Sequence, residues 1–285
     1  MINVAEFKPM FQELTRKVST KLPSINIFIY GTWGVGKTTL GLSFPGTVYL
    51  VDLETGSGMY GDVFDNVKTT NPKSLKELIN TITYLRSIVT ENDAVVFDSE
   101  SVYWDLLQYT RAEHANKGGI EGSGLNMGDW GTVKRVNNRF QNDLINLPCA
   151  VIALCQEKRL TNDEMVEDYI PSTEKSIPHC FDVVARMVME DDRRILKIRK
   201  RRGNLLNKDE YDITGKTFMG VFEKDFDFSK IPEKTLMMDY RTQIMYARDT
   251  KQLKEVATSI NSNEKISKKN KEALMDIIRI KVDKL

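Results

Sequence analysis

The chain has 285 residues, 41% of them hydrophobic, and a net charge of +1, which suits one large domain or one domain with an appendage. So balanced a charge excludes a global basic field, and any nucleic-acid contact must come from local patches. Three cysteines without CxxC spacing and two isolated histidines, His114 and His179, argue against zinc, and no run nears the ~18 apolar residues of a membrane span.

The first residues, MINVAEFKPMFQEL, carry Glu6 early and lack the apolar core of a signal peptide. With cysteines that read as reduced, this predicts a cytoplasmic protein with no membrane partner. Phe7, Met10, Phe11, Leu14 and Val18 follow helical spacing. Pro9 suits the first turn of that helix and Pro23 ends the pattern, so residues 1–22 read as an N-terminal helical extension. From residue 25 the chain alternates short apolar runs (INIFIY, TVYLVD, AVVFDS, AVIALCQ) with helical segments at 37–43, 73–90, 100–115 and 129–146. Runs that are apolar nearly throughout suit strands buried on both faces of a parallel sheet, and the βαβα order predicts an α/β fold with right-handed crossovers. Cys149 and Cys155 fall in the fourth run and read as small core residues. Beyond residue 180, FDVVARMVME and RRILKIRK read as two strands joined by a turn at Asp191-Asp192. Residues 203–235 are polar and turn-rich. KQLKEVATSI and NKEALMDIIRIKVDKL read as amphipathic helices. The predicted organisation is an extension at 1–22, a core at 23–235 and a helical tail at 236–285.

The stretch GTWGVGKTT matches G-x-x-x-x-G-K-[ST], and it sits between a predicted strand and a predicted helix, as that motif requires. Glycines let successive N–H groups turn inward as an anion nest, and the following helix aims its positive end at the same spot. Gly31, Thr32, Trp33, Gly34, Val35, Gly36, Lys37, Thr38 and Thr39 are therefore expected to hold ATP. Lys37 serves the β- and γ-phosphates, the Thr38 hydroxyl Mg²⁺, and Thr39 the α-phosphate. Trp33 is either a surface aromatic covering the loop or a contact with a neighbouring subunit or the nucleotide. Asp98, ending AVVFDS, is placed to hold the Mg²⁺ through water, with Ser99 close by. Glu54, just past the strand TVYLVD, would polarise an attacking water, against the plainer reading of a solvated loop acid. Gln156, ending AVIALCQ, suits a sensor of the γ-phosphate or a plain strand terminus.

The ordered set IYGTWGVGKTTLGLSFP, VYLVDLETG, VVFDS, GDWGTVKRVNNRF and PCAVIALCQEKR, over residues 25 to 205, resembles the RecA-type ATPase core. More closely it resembles the compact phage RecA-like proteins of the Sak type, often labelled AAA-domain phage nucleotide-binding proteins. The resemblance implies a RecA-like fold with a mainly parallel sheet flanked by helices. It implies Glu54 as catalytic base and Gln156 as the link from ATP to DNA, with Lys37 completing the catalytic set. It also implies ATP hydrolysis stimulated by single-stranded DNA, in annealing or strand exchange, within the bacterial host's cytoplasm if the gene is a phage's. Two segments are candidates for DNA contact or for plain surface excursions: the glycine-rich 114–131, with Lys117, and 157–176, which opens with Lys158 and Arg159 before acids dominate. The run RRILKIRKRR has seven Lys or Arg in ten residues. Three readings stay open for it: Lys200 and Arg202 emerging at the sheet edge to reach a neighbour's nucleotide, a patch for the phosphate backbone, or a solvated strand face. Self-association through the nucleotide interface follows from the first. The tail helices pack on the core or a neighbour, or recruit a single-strand-binding protein. The alternative functions are a ring-forming helicase-like motor or loader, a small-molecule kinase, and a nucleotide-gated adaptor.

Overall fold

The computed structural model describes residues 25–60, 63–116, 125–162, 165–203, 205–226 and 233–285. The predicted N-terminal extension, and residues 117–124 of the glycine-rich segment, Lys117 among them, lie outside them. Strands are β1 (Asn26–Gly31), β2 (Val48–Asp52), β3 (Val67–Thr70), β4 (Ala94–Asp98), β5 (Ala150–Asn162), β6 (Met165–Pro171), β7 (Val183–Glu190), β8 (Arg193–Arg201) and β9 (Glu210–Asp212). They form one sheet in the order β3-β2-β4-β5-β1-β7-β8-β9, with β6 paired to the outer half of β5. Pairing is parallel from β3 through β7 and antiparallel at β7–β8, β8–β9 and β5–β6.

The apolar runs are continuous because both faces of this sheet are covered. Side chains alternate between faces along each strand. Ile27, Ile29, Leu50, Val96, Ile152 and Leu154 enter one core, while Phe28, Tyr30, Val51, Val95, Phe97 and Ala153 enter the other. Helices are α1 (Lys37–Leu42), α2 (Leu75–Ile88), α3 (Glu100–Asn116), α4 (Met127–Ile145), α5 (Ile177–Cys180), α6 (Phe218–Phe222), α7 (Glu233–Tyr246), α8 (Thr250–Ser262) and α9 (Lys268–Val282). Leu40 and Leu42 of α1 and Phe218 and Phe222 of α6 fill the first core, and α2, α3 and α4 cover the second through Leu78, Ile82, Tyr103, Val133 and Phe140. The three C-terminal helices build a third core from Leu236, Tyr240, Ile244, Leu253, Ile260, Leu274 and Ile278. This is the expected fold class, an α/β core with a mainly parallel sheet flanked by helices and a helical C-terminal end.

Three details depart from the expectations. Residues 157–171, expected as a loop, are a hairpin, because β5 runs on to Asn162 and turns back as β6. The segment 203–235 contains β9, α6 and the start of α7 rather than turns alone. The two strands read over FDVVARMVME and RRILKIRK do not pair evenly throughout, because a register shift matches Ala185 with Ile198 and Val184 with Lys200, which skips Arg199. The β7–β8 turn at Asp191-Asp192 is as expected, with φ of 46° and 63° at its two residues, a conformation that suits a tight hairpin.

Candidate nucleotide site

β1 carries the chain to the phosphate loop at the C-terminal edge of the parallel strands. Gly31 pairs with Met187 of β7, and a Cβ on it would lie 2.2 Å from the Met187 carbonyl oxygen. Gly36, directly before α1, has φ 101°, which side chains rarely adopt. Between them Val35 is buried in the first core and pins the loop, while Thr32, Trp33 and Gly34 are exposed, Trp33 at 82%. The Lys37 ammonium donates to the carbonyls of Gly31 at 2.9 Å and Thr32 at 2.8 Å, leaving one of its three donors for a phosphate. Burial pulls its pKa down, against the carboxylates of Asp98 and Glu54, which pull it up.

Thr38 Oγ1 donates to Asp98 Oδ2 at 2.7 Å. The pair joins the start of α1 to the end of β4, two strands away from β1 across β5. Burial pushes the Asp98 carboxyl up to about 6; the hydrogen bond from Thr38 opposes this, and the nearby Glu54 and Asp52 carboxylates add to it. A hydroxyl and a carboxylate oxygen so close, beside a phosphate loop, are the hard donors Mg²⁺ takes together with water and phosphate oxygens, and the two residues fit that ion.

Glu54 lies two residues past β2, where its N–H donates to Asp52 Oδ1 at 3.0 Å. Its Oε1 accepts from Ser99 Oγ at 2.6 Å and from Gln156 Nε2 at 3.1 Å. Gln156 is level with Gly31 in the β1–β5 ladder, and its N–H donates to Ser101 Oγ at 2.9 Å. The structure thus gathers Lys37, Thr38, Asp98, Glu54 and Gln156 at one sheet edge, although they come from α1, β4, the β2 exit and β5. Thr39 lies one residue further along α1 and faces a neighbouring cavity.

Lys200 and Arg202 are not in this cluster. Lys200 Nζ donates to the carbonyls of His179 and Phe181 at 2.8 and 2.7 Å. Arg202 pairs with Asp182 at 3.2 Å. Because β8 runs antiparallel to β7, its C-terminal end lies beside the beginning of β1, where Asp182 N–H donates to Asn26 O and Arg202 N–H to Asp182 O. That is the edge opposite their own chain's phosphate loop. The other end of the same basic run supplies a residue that sequence reasoning missed. Arg194, just past the Asp191-Asp192 turn, has its Nε 3.2 Å from where a Cβ on Gly36 would stand. The turn itself was the signal, since it reverses the run and brings its first residues to the loop edge. Ser101 was also missed, and nothing local marks it.

A family model described as AAA domain matches residues 24–214. No curated protein matches the chain. Among solved structures, the chain is similar to one described as the crystal structure of the RadB recombinase, with 20% sequence identity, covering 70% of this chain and 91% of that one at a TM-score of 0.46.

Proposed function

The chain belongs to the AAA-domain family, and from that membership and its site we propose that it binds ATP with Mg²⁺ and hydrolyses it as a RecA-like, self-associating protein that acts on single-stranded DNA in phage recombination or annealing. The observation that carries this reading is the carboxylate of Glu54 held between Ser99 and Gln156, beside the Thr38–Asp98 pair. Lys37 and the loop amides clamp the phosphates and align the chain of the triphosphate. Thr38 and Asp98 would hold Mg²⁺, which would neutralise the charge that grows on the phosphate oxygens. Glu54 orients the attacking water and accepts its proton.

Gln156 gives this chemistry a way out of the site. It bonds to Glu54, and the next residue, Glu157, opens the β5–β6 hairpin. Arg186 grips Glu157 at 2.8 and 3.3 Å and lies 4.1 Å from the centre of the Tyr169 ring. A shift of Gln156 toward a bound γ-phosphate would release Glu54 and tilt the root of the hairpin, whose exposed Lys158 and Arg159 are the cations offered to a DNA backbone. Arg202, which is exposed, is the cation offered to a neighbour's nucleotide in the self-associated form.

The test is ATPase activity measured with and without single-stranded DNA, for the natural protein and Lys37→Ala. DNA is expected to raise the rate several-fold in the first, and the second is expected to be inactive in both conditions. A rate indifferent to DNA, with no DNA binding at low salt, would remove the recombination reading. Turnover that survives loss of Lys37 would remove the ATPase site itself.

A further inference from the structure

Consecutive residues at the end of β4 and the start of α3 each reach a different element. Asp98 accepts from Thr38 of α1, and Ser99 donates to Glu54 past β2. Ser101 Oγ accepts the N–H of Gln156 on β5 at 2.9 Å. Gln156 Nε2 in turn donates to Glu54, so the contacts close a cycle, Ser99 to Glu54 to Gln156 to Ser101, around the carboxylate proposed as base. Glu100, between the two serines, is fully buried and meets α4 instead. Both of its carboxyl oxygens accept from Gln141 Nε2, at 3.1 and 3.0 Å. The backbone that carries the two serines is thus pinned from inside the protein at its middle residue.

This contact breaks the pattern of the layer it lies in. α4 buries Val133, Asn137, Phe140, Gln141 and Leu144, so its core face carries two amides among apolar residues, and α3 meets it with a buried acid. Polar groups are costly there. Asn137 Oδ1, Gln141 Oε1 and the Tyr103 hydroxyl are buried with no hydrogen-bond partner among the described residues, and such groups lose their hydration without recompense. Replacing both partners of a buried polar contact by apolar groups of like shape is often neutral or stabilising. Fold stability therefore gives no reason for an acid at 100 and an amide at 141. What the pair adds is direction: an apolar contact tolerates sliding, whereas a satisfied buried hydrogen bond fixes one register of α3 against α4. The far end of the same helix pair is held separately, by Arg111 of α3 and Asp129 of α4 at 2.6 Å and by the Trp104 and Trp130 rings, 6.3 Å apart. Glu100 and Gln141 tie the end next to Ser99.

We propose that Glu100 and Gln141 are positioning residues for ATP hydrolysis: their hydrogen bond sets the start of α3 against α4, and with it the placement of Ser99 and Ser101 that aims Glu54 and seats Gln156. The inference rests on the reading of Glu54 as the base and extends that base's support inward by one layer. It parts position from stability, and ATPase kinetics paired with thermal melts test both. In Glu100→Met/Gln141→Met, kcat is expected to fall about 10–100-fold, the scale of a misplaced reacting group. KM for ATP should change little, because Lys37 and the loop it braces are untouched, and the melting midpoint should lie at or above that of the natural protein. Exchanging the pair, Glu100→Gln/Gln141→Glu, reverses donor and acceptor and is expected to return most of the lost rate. A natural kcat in the apolar variant would reduce the pair to packing. An exchanged variant no faster than the apolar one would show that the hydrogen bond does not set the rate. An apolar variant that melts well below the natural protein would make the pair a stability element. Any of these overturns the inference and leaves the ATPase reading standing, provided that the natural protein hydrolyses ATP and Lys37→Ala does not. A natural protein without turnover removes both.

Discussion

Glu54 sits where a carboxylate can do one thing that an amide of the same shape cannot. Ser99 and Gln156 donate to its Oε1, so glutamine at this position keeps an acceptor oxygen for both but takes no proton from water. Glu54→Gln is therefore expected to bind ATP with near-natural affinity and to lose turnover by ~10²–10⁴-fold, the usual worth of a positioned base. Steady-state ATPase rates paired with binding of a fluorescent ATP analogue check this, and turnover within a few-fold of natural would place the base elsewhere. The contrast with Lys37 is instructive at the same scale. Lys37 already spends two donors on its own loop's carbonyls, so its loss removes a brace of the loop as well as a phosphate contact. Both residues were legible in the sequence because each belongs to a short motif at a strand end. Arg194 was not. It is one cation among seven in ten residues, and only its distance from Gly36 distinguishes it.

β4 shows how an element ties the core to the site. Phe97, fully buried, packs at a tilt against Phe140 of α4 with ring centres 5.5 Å apart and meets Tyr103 of α3 edge-on at 5.9 Å. The next residue is Asp98. Phe97→Ala leaves a void under that strand end and is expected to destabilise the protein by about 3–5 kcal/mol. Urea unfolding followed by circular dichroism measures it; a loss below about 1 kcal/mol would mean that the α3–α4 layer closes over the gap. Elements with apolar rhythm were readable in this way, and α2, α3 and α4 fall within a few residues of their expected bounds. Elements that follow from pairing were not. The outer half of β5 and the whole of β6 are rich in charge, and a hairpin held by backbone ladder bonds needs no apolar face. α7 falls almost wholly within the expected helical tail at 236–285 but was not read as a helix of its own, because Met238 and the exposed Met245 dilute the spacing of Leu236, Tyr240 and Ile244.

Across the whole molecule, the C-terminal helices meet the core through a buried acid. Asp239 of α7 accepts from Gln243 Nε2 at 2.6 Å. Burial raises its carboxyl from the ordinary 3.8 to about 6, against hydrogen bonds from Thr217, in the core just before α6, and Gln243. Between those two values the folded protein keeps a proton that the unfolded chain has released. Stability is therefore full below about pH 4, falls as pH rises, and levels off above about pH 6, with a total of up to about 3 kcal/mol from this group. Asp239→Asn, neutral throughout, should flatten that part of the profile. Thermal melts of both proteins from pH 4 to 7 show it as a difference in midpoint that grows with pH; parallel curves would mean that the acid titrates alike in the folded and unfolded states. Among the described residues no helix is long and apolar enough to cross a membrane.

Sequence by itself determined the parts of this protein that local physics governs. A glycine that must take a positive φ, a lysine and threonine at a strand-to-helix junction, and acids at the ends of apolar strands are each decided within a few residues. What only the tertiary structure decided is neighbourhood. The strand order put Asp98, Glu54 and Gln156 side by side, and the antiparallel return of β8 sent Arg194 to the phosphate loop and Lys200 and Arg202 to the opposite edge. Strand partners and directions come from packing between segments more than a hundred residues apart, as with Gly31 beside Gln156, and no pattern inside one segment records which partner it will meet.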